Sequence, residues 1–177
     1  MKRIWFIGVM LGTAVLSCTV VYPLVHEGGH YITARMLGVD VHDVVWTTWT
    51  GHPHVALGAT PGHAIPWINA GGLLLPTFVG MLFALLWIAA CKRLNWNISM
   101  ALLVTAVTLL AGNLGTIAEA LTPLGFKHMR PLAEHLGLSG FASIALELLP
   151  ALVASVLIAA MGVRLQGLRR RITQPAS

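Results

Sequence analysis

The chain has 177 residues, 56% of them hydrophobic and only 10% charged. That balance excludes a soluble globular domain and a disordered chain, and selects a polytopic membrane protein of one helical domain. The formal charge of +5 is not a nucleic-acid signature, because the basic residues fall at the ends of apolar stretches. Two cysteines, Cys18 and Cys91, are too few for a disulfide framework.

The first apolar run covers residues 4–25, behind Lys2 and Arg3. Its basic start and apolar core resemble a signal peptide, with Val15-Leu16-Ser17-Cys18 loosely like a lipoprotein cleavage site. No polar linker follows Cys18, so the run is read as a retained first span. It leads directly into His26-Glu27-Gly28-Gly29-His30, an H-E-x-x-H pattern. On a helix, positions i and i+4 share a face, so the two imidazoles can hold one metal ion. Glu27 stands beside them, where a carboxylate can accept a proton from a water at the metal. Gly28 and Gly29 are poor helix formers. Their small size would let a second backbone, or a substrate, come close to the metal. The helix is expected to kink at Pro23, to continue to residue 37 and to end at Gly38.

His26-Glu27-x-Gly29-His30 at the end of a first membrane helix resembles the site-2 protease family of intramembrane zinc metalloproteases, whose pattern is H-E-x-G-H. The match is good over residues 25–38 and looser beyond them. The resemblance implies peptide-bond hydrolysis within the membrane, zinc as cofactor, His26 and His30 as zinc ligands and Glu27 as catalytic base. A membrane-tethered protein substrate follows from it.

Residues 39–65 form the main non-spanning segment. Val41-His42-Asp43-Val44-Val45 and the residues after it are rich in β-branched and aromatic side chains, and Gly51-His52-Pro53 supplies a turn, so a short β-hairpin is expected. Its edge could pair with an extended substrate, or Trp46 and Trp49 could rest on lipid. His42, His52, His54 and His63 also lie here, as solvated loop residues or as auxiliary metal or proton-handling groups.

Further spans are predicted at residues 66–90, 99–121 and 140–163, since about 20 apolar residues cross a bilayer. Asn69 opens the second, as a helix-to-helix tie or a contact to a substrate backbone; the glycines Gly71, Gly72 and Gly80 permit close packing in lipid. Asn113, Glu119 and Glu147 are polar groups inside apolar runs, where function is the default expectation. Residues 126–138 read as a short polar connection carrying Lys127, His128, Arg130, Glu134 and His135. Residues 164–177 read as a basic tail, disordered over residues 168–177 and held near anionic lipid by its arginines.

Lys2, Arg3, Lys92, Arg93, Arg164, Arg169, Arg170 and Arg171 fall on one side of these spans, against Arg35, Lys127 and Arg130 on the other. The positive-inside rule then places both termini in the cytoplasm of a multi-pass cell-membrane protein. Trp5, Trp87 and Trp96 would mark the inner interface and Trp67 the outer one.

The expected fold is an all-α polytopic membrane protein, residues 1–177 forming a single domain of about four transmembrane helices with a hairpin-like loop after the first. Its expected function is that of a zinc-dependent peptidase embedded in the lipid bilayer, with no nucleic-acid partner. The alternative is a non-catalytic zinc-binding scaffold or metal carrier. The resembled family takes its third ligand from an aspartate on a later helix, and no Asp follows Asp43. Rising at 1.5 Å per residue, His26 and Glu119 reach similar depths, about 33 and about 30 Å along their helices. Glu119 is therefore the expected third ligand, with Asp43, Asn113 and Glu147 as alternatives. Asn113 is better suited to a substrate or oxyanion contact. Glu147 should sit deeper, so that Glu147→Ala spares the metal.

Overall fold

A computed structural model describes residues 2–114 and 128–173. Helix α1 (Lys2–Leu16) passes through a π-helical turn, Ser17–Val21, into α2 (Tyr22–Met36). Strands β1 (Val41–Val45) and β2 (His54–Leu57) follow, then α3 (Ile65–Ala90), α4 (Trp96–Ala111) ending in a 3₁₀ turn at Gly112–Leu114, α5 (Arg130–His135) and α6 (Gly140–Thr173). Among the described residues, four helical stretches are long and apolar enough to cross a membrane: Ile7–Met36, Ile65–Ala90, Trp96–Leu114 and Gly140–Leu168. The architecture is that of a multi-pass membrane protein, with α3 packed against α2, α4 and α6.

The first span is irregular in the turn before Pro23, where a kink is expected. Proline has no N–H, so the carbonyl four residues before it, that of Thr19, loses its α-helical donor. The helix widens into the π turn over residues 17–21. Thr48, in the loop after β1, then donates to the Thr19 carbonyl through its backbone N–H (3.2 Å) and its hydroxyl (3.0 Å). Side-chain donors commonly satisfy a carbonyl freed by proline in a membrane helix. This pair also ties the hairpin to the first span.

Gly38 ends α2 as expected, at φ +73°. Val39 N–H donates to the Ala34 carbonyl and Gly38 N–H to that of Arg35, while Val39 and Ala34 pack in one apolar cluster. These are the two bonds and the apolar contact of a Schellman cap. The hairpin is antiparallel, pairing Val41 with Leu57, Asp43 with Ala56, Val44 with Val55 and Val45 with His54, with an irregularity at His42. It is shorter than the β-branched run, because Trp46 leaves the ladder and stacks edge-on against Tyr31 of α2, ring centres 5.7 Å apart.

Two further expectations are corrected. Trp87 does not face lipid as a belt residue would: it is fully buried, and its indole N–H donates to Ser99 Oγ at 2.9 Å, joining α3 to α4. An indole this deep requires such an acceptor. Residues 164–173 are not an irregular tail either, since α6 continues to Thr173. Leu165 and Leu168 extend the helix's apolar face onto the core, and no proline intervenes before Pro175.

Candidate metal centre

Glycine sets the closeness of α2 and α3. A Cβ on Gly29 would meet the Gly71 carbonyl group, lying 2.6 Å from its carbon and 3.0 Å from Gly72 Cα. A Cβ on Gly71 would run into the Thr33 hydroxyl and come within 2.7 Å of the Gly29 carbonyl oxygen. The glycine of the motif thus receives the backbone of α3, which brings the motif's histidines against the first turns of that helix.

Two backbone carbonyls of α3 meet the imidazoles. His30 Nδ1 lies 2.7 Å from the Ile68 carbonyl oxygen. A carbonyl only accepts, so Nδ1 carries the proton and Nε2 of the neutral ring keeps a bare lone pair. Carbonyls that accept from the far ring nitrogen orient metal-binding histidines in the same way. Pro76 leaves the Gly72 carbonyl without its intrahelical donor, and that carbonyl interacts with the His26 ring. Nδ1 of His26 itself is buried without a hydrogen-bond partner among the described residues. Tyr22, one turn before His26, stacks on its ring at 5.7 Å and 18°. Gly112 on the third span leaves room for that tyrosine, whose ring atoms a Cβ there would strike.

The third histidine comes from far along the chain. His128, just before α5, places its ring 5.3 Å from that of His26 and 6.1 Å from that of His30. One ligand atom from each of His26, His30 and His128 lies within 4.8 Å of the others. The Nε2 atoms of His26 and His30 are 3.3 Å apart. Two nitrogens bound tetrahedrally at 2.0–2.1 Å to one ion are roughly 3.3–3.4 Å apart, so the motif pair already has ligand spacing. The three imidazoles fit a zinc ion in donor type, and His26 and His30 fit it in spacing; the three ligand atoms together, within 4.8 Å of one another, are more widely spread than in a filled site.

These side chains line a cleft of about 930 Å³. Tyr22, Pro23, His26, Glu27 and His30 form one wall, and Ile68 and Asn69 of α3 another; His52, Pro53, His54, Val55 and Leu57 come from the hairpin and His128, Arg130, Pro131 and Glu134 from the α5 region. Glu27 is only 7% exposed, so its carboxyl is reached through the cleft and not from the outer surface.

The remaining sequence candidates distribute as follows. Asn69 lines the cleft. Asn113 does not: it is buried at 1% exposure, its Nδ2 donates to the Leu109 carbonyl, and its Oδ1 lies 2.9 Å from Thr77 Oγ1. Its amide ties α4 to α3, in place of the expected substrate or oxyanion contact. Asp43 is exposed and accepts from Val44 N–H; Glu147 is bonded to Arg130 and Ser143. Neither joins the metal-binding group. Glu119 lies outside the described residues. His52 and His54 face the cleft, whereas His42 and His63 are exposed away from it. His128 was missed because nothing local marks it. Its only sequence signal is its place between the third and fourth spans, on the same side as the end of the motif helix. Tyr22 had a clearer signal, the four-residue spacing from His26.

No protein-family model matches the chain, and no curated protein or solved structure matches it. The chemistry of the cleft must carry the functional reading.

Proposed function

We propose that this chain is an intramembrane zinc-dependent peptidase resembling site-2 proteases, acting on a membrane-tethered protein. The supporting observation is the convergence of His26, His30 and His128 beside Glu27 in one cleft at the end of a membrane helix. The three imidazoles would hold zinc, and bound zinc would supply Lewis-acid polarisation of a peptide carbonyl. Glu27 accepts a proton from the attacking water as the new C–O bond forms. It returns that proton to the amide nitrogen as the C–N bond breaks, so carboxylate is regenerated. A scaffold or carrier has no need of this group between its ligands. Strand β2 presents His54, Val55 and Leu57 to the same cleft, which suits pairing with an extended substrate backbone. Asn69 is placed to hydrogen-bond that backbone.

The test is metal content and cleavage of a membrane-tethered reporter by the detergent-purified protein. About one zinc per chain is expected, with Glu27→Gln keeping the metal and losing cleavage because an amide cannot act as base. His128→Ala should empty the site. Absence of zinc from the wild type, or wild-type cleavage by Glu27→Gln, refutes the reading. Retention by His128→Ala together with loss by Glu119→Ala returns the third ligand to Glu119.

A further inference from the structure

The fourth span carries a buried carboxylate for which the chemistry above has no use. Glu147 is 4% exposed within α6. One oxygen, Oε1, accepts from Arg130 Nε at 3.1 Å and from Ser143 Oγ at 3.1 Å. Arg130 lies two residues after His128 and begins α5. Stability alone gives a poor account of this ion pair. Desolvating a carboxylate costs several kcal/mol, and apolar replacements of buried pairs are often as stable or more so.

The segment is already anchored without charge. Met129 and Leu132 are buried with Ala70 and Leu73 of α3, and Leu146, the neighbour of Glu147, packs against them. Apolar burial is non-directional, so it holds the segment near α3 without fixing where the preceding imidazole points. A charge-assisted bond from a guanidinium to a carboxylate held by a membrane helix does fix position. We infer that the Arg130–Glu147 ion pair is a positioning device that sets His128 against His26 and His30. The inference rests on the three-histidine zinc reading and reverses the expectation that changes at Glu147 spare the metal. Arg130 and Glu147 act on the metal through His128, as outer-shell groups whose loss typically costs about 10- to 100-fold in affinity.

The experiment measures zinc affinity by chelator competition, and the absorption spectrum of the cobalt-loaded protein, on full-length protein in detergent. Glu147→Gln and Arg130→Gln should each lower zinc affinity about 10-fold or more and alter the cobalt spectrum. Arg130→Lys, which keeps a cation, should recover part of the loss. A purely structural role would lower the melting temperature and leave affinity and spectrum unchanged, which overturns the inference. Should Glu147→Gln fail to fold, Ser143→Ala removes one bond to the carboxylate and should weaken binding about threefold; unchanged affinity there also overturns it. His128→Ala separates the two levels. Wild-type affinity in that variant defeats the three-histidine site itself. Weakened affinity there, beside wild-type affinity in Glu147→Gln and Arg130→Gln, defeats the positioning role alone.

Discussion

Gly72→Ala should separate the metal site from the fold. A Cβ at residue 72 would press on His30 Nε2 and Cε1 and lie 2.8 Å from Cδ2, whereas ordinary contact begins near 3.4 Å. The imidazole can rotate away, so the helices need not move apart. Its retreat breaks the 2.7 Å bond from Nδ1 to the Ile68 carbonyl, a loss of about 1 kcal/mol. Alanine in the interior of α3 returns a similar amount, about 1 kcal/mol, in helix propensity. Stability should therefore change little. The proposed metal site has no such compensation, because ligand distances hold to within about 0.2 Å and the methyl group takes the space beside the nitrogen that would face the metal. Zinc affinity should fall about 10- to 100-fold, as for loss of a partner that orients a ligand, or about 1.4–2.8 kcal/mol. Chelator competition and thermal melting on the same preparation give the two readings. Gly29→Ala is the contrast: its Cβ meets the backbone of Gly71 and Gly72, which cannot rotate away, so it should lower stability by about 1–3 kcal/mol. Wild-type zinc affinity in Gly72→Ala refutes the placement of His30 Nε2.

Two further outcomes are expected. Thr48→Val removes the hydroxyl donated to the Thr19 carbonyl and should cost about 1 kcal/mol, but almost nothing in a Pro23→Ala background, where residue 23 supplies its own N–H; equal costs in both backgrounds would contradict the proline argument. Reporter fusions after Lys92 and after Arg171 should read cytoplasmic, and one between Gly51 and Pro53 external, by the asymmetry of basic residues; a cytoplasmic reading from the loop inverts the topology.

Local and composition-borne features were legible in the sequence. Long apolar runs announce the four candidate membrane helices found among the described residues, because backbone polar groups must be satisfied within each span in lipid. The i, i+4 spacing puts His26 and His30 on one face whatever surrounds them. Gly38 marks the end of α2, since only a residue tolerant of positive φ completes that cap. The turn at Gly51-His52-Pro53 announces the hairpin.

Long-range pairings were not legible, because no local pattern encodes which distant group meets which. A buried Glu147 needs a partner by simple electrostatics, yet only the return of the chain past α3 makes that partner Arg130. Pro23 signals a freed carbonyl, while the tertiary structure decides that Thr48 serves it and that the turn before the proline widens. Depth along ideal helices pointed to Glu119, which lies outside the described residues, and passed over His128 because a side chain on a connection has no helical depth to compute. Its approach to His26 and His30 depends on where α5 packs. That packing is set by Met129 and Leu132 against α3 and by one ion pair to α6, contacts that exist only once the helices have assembled.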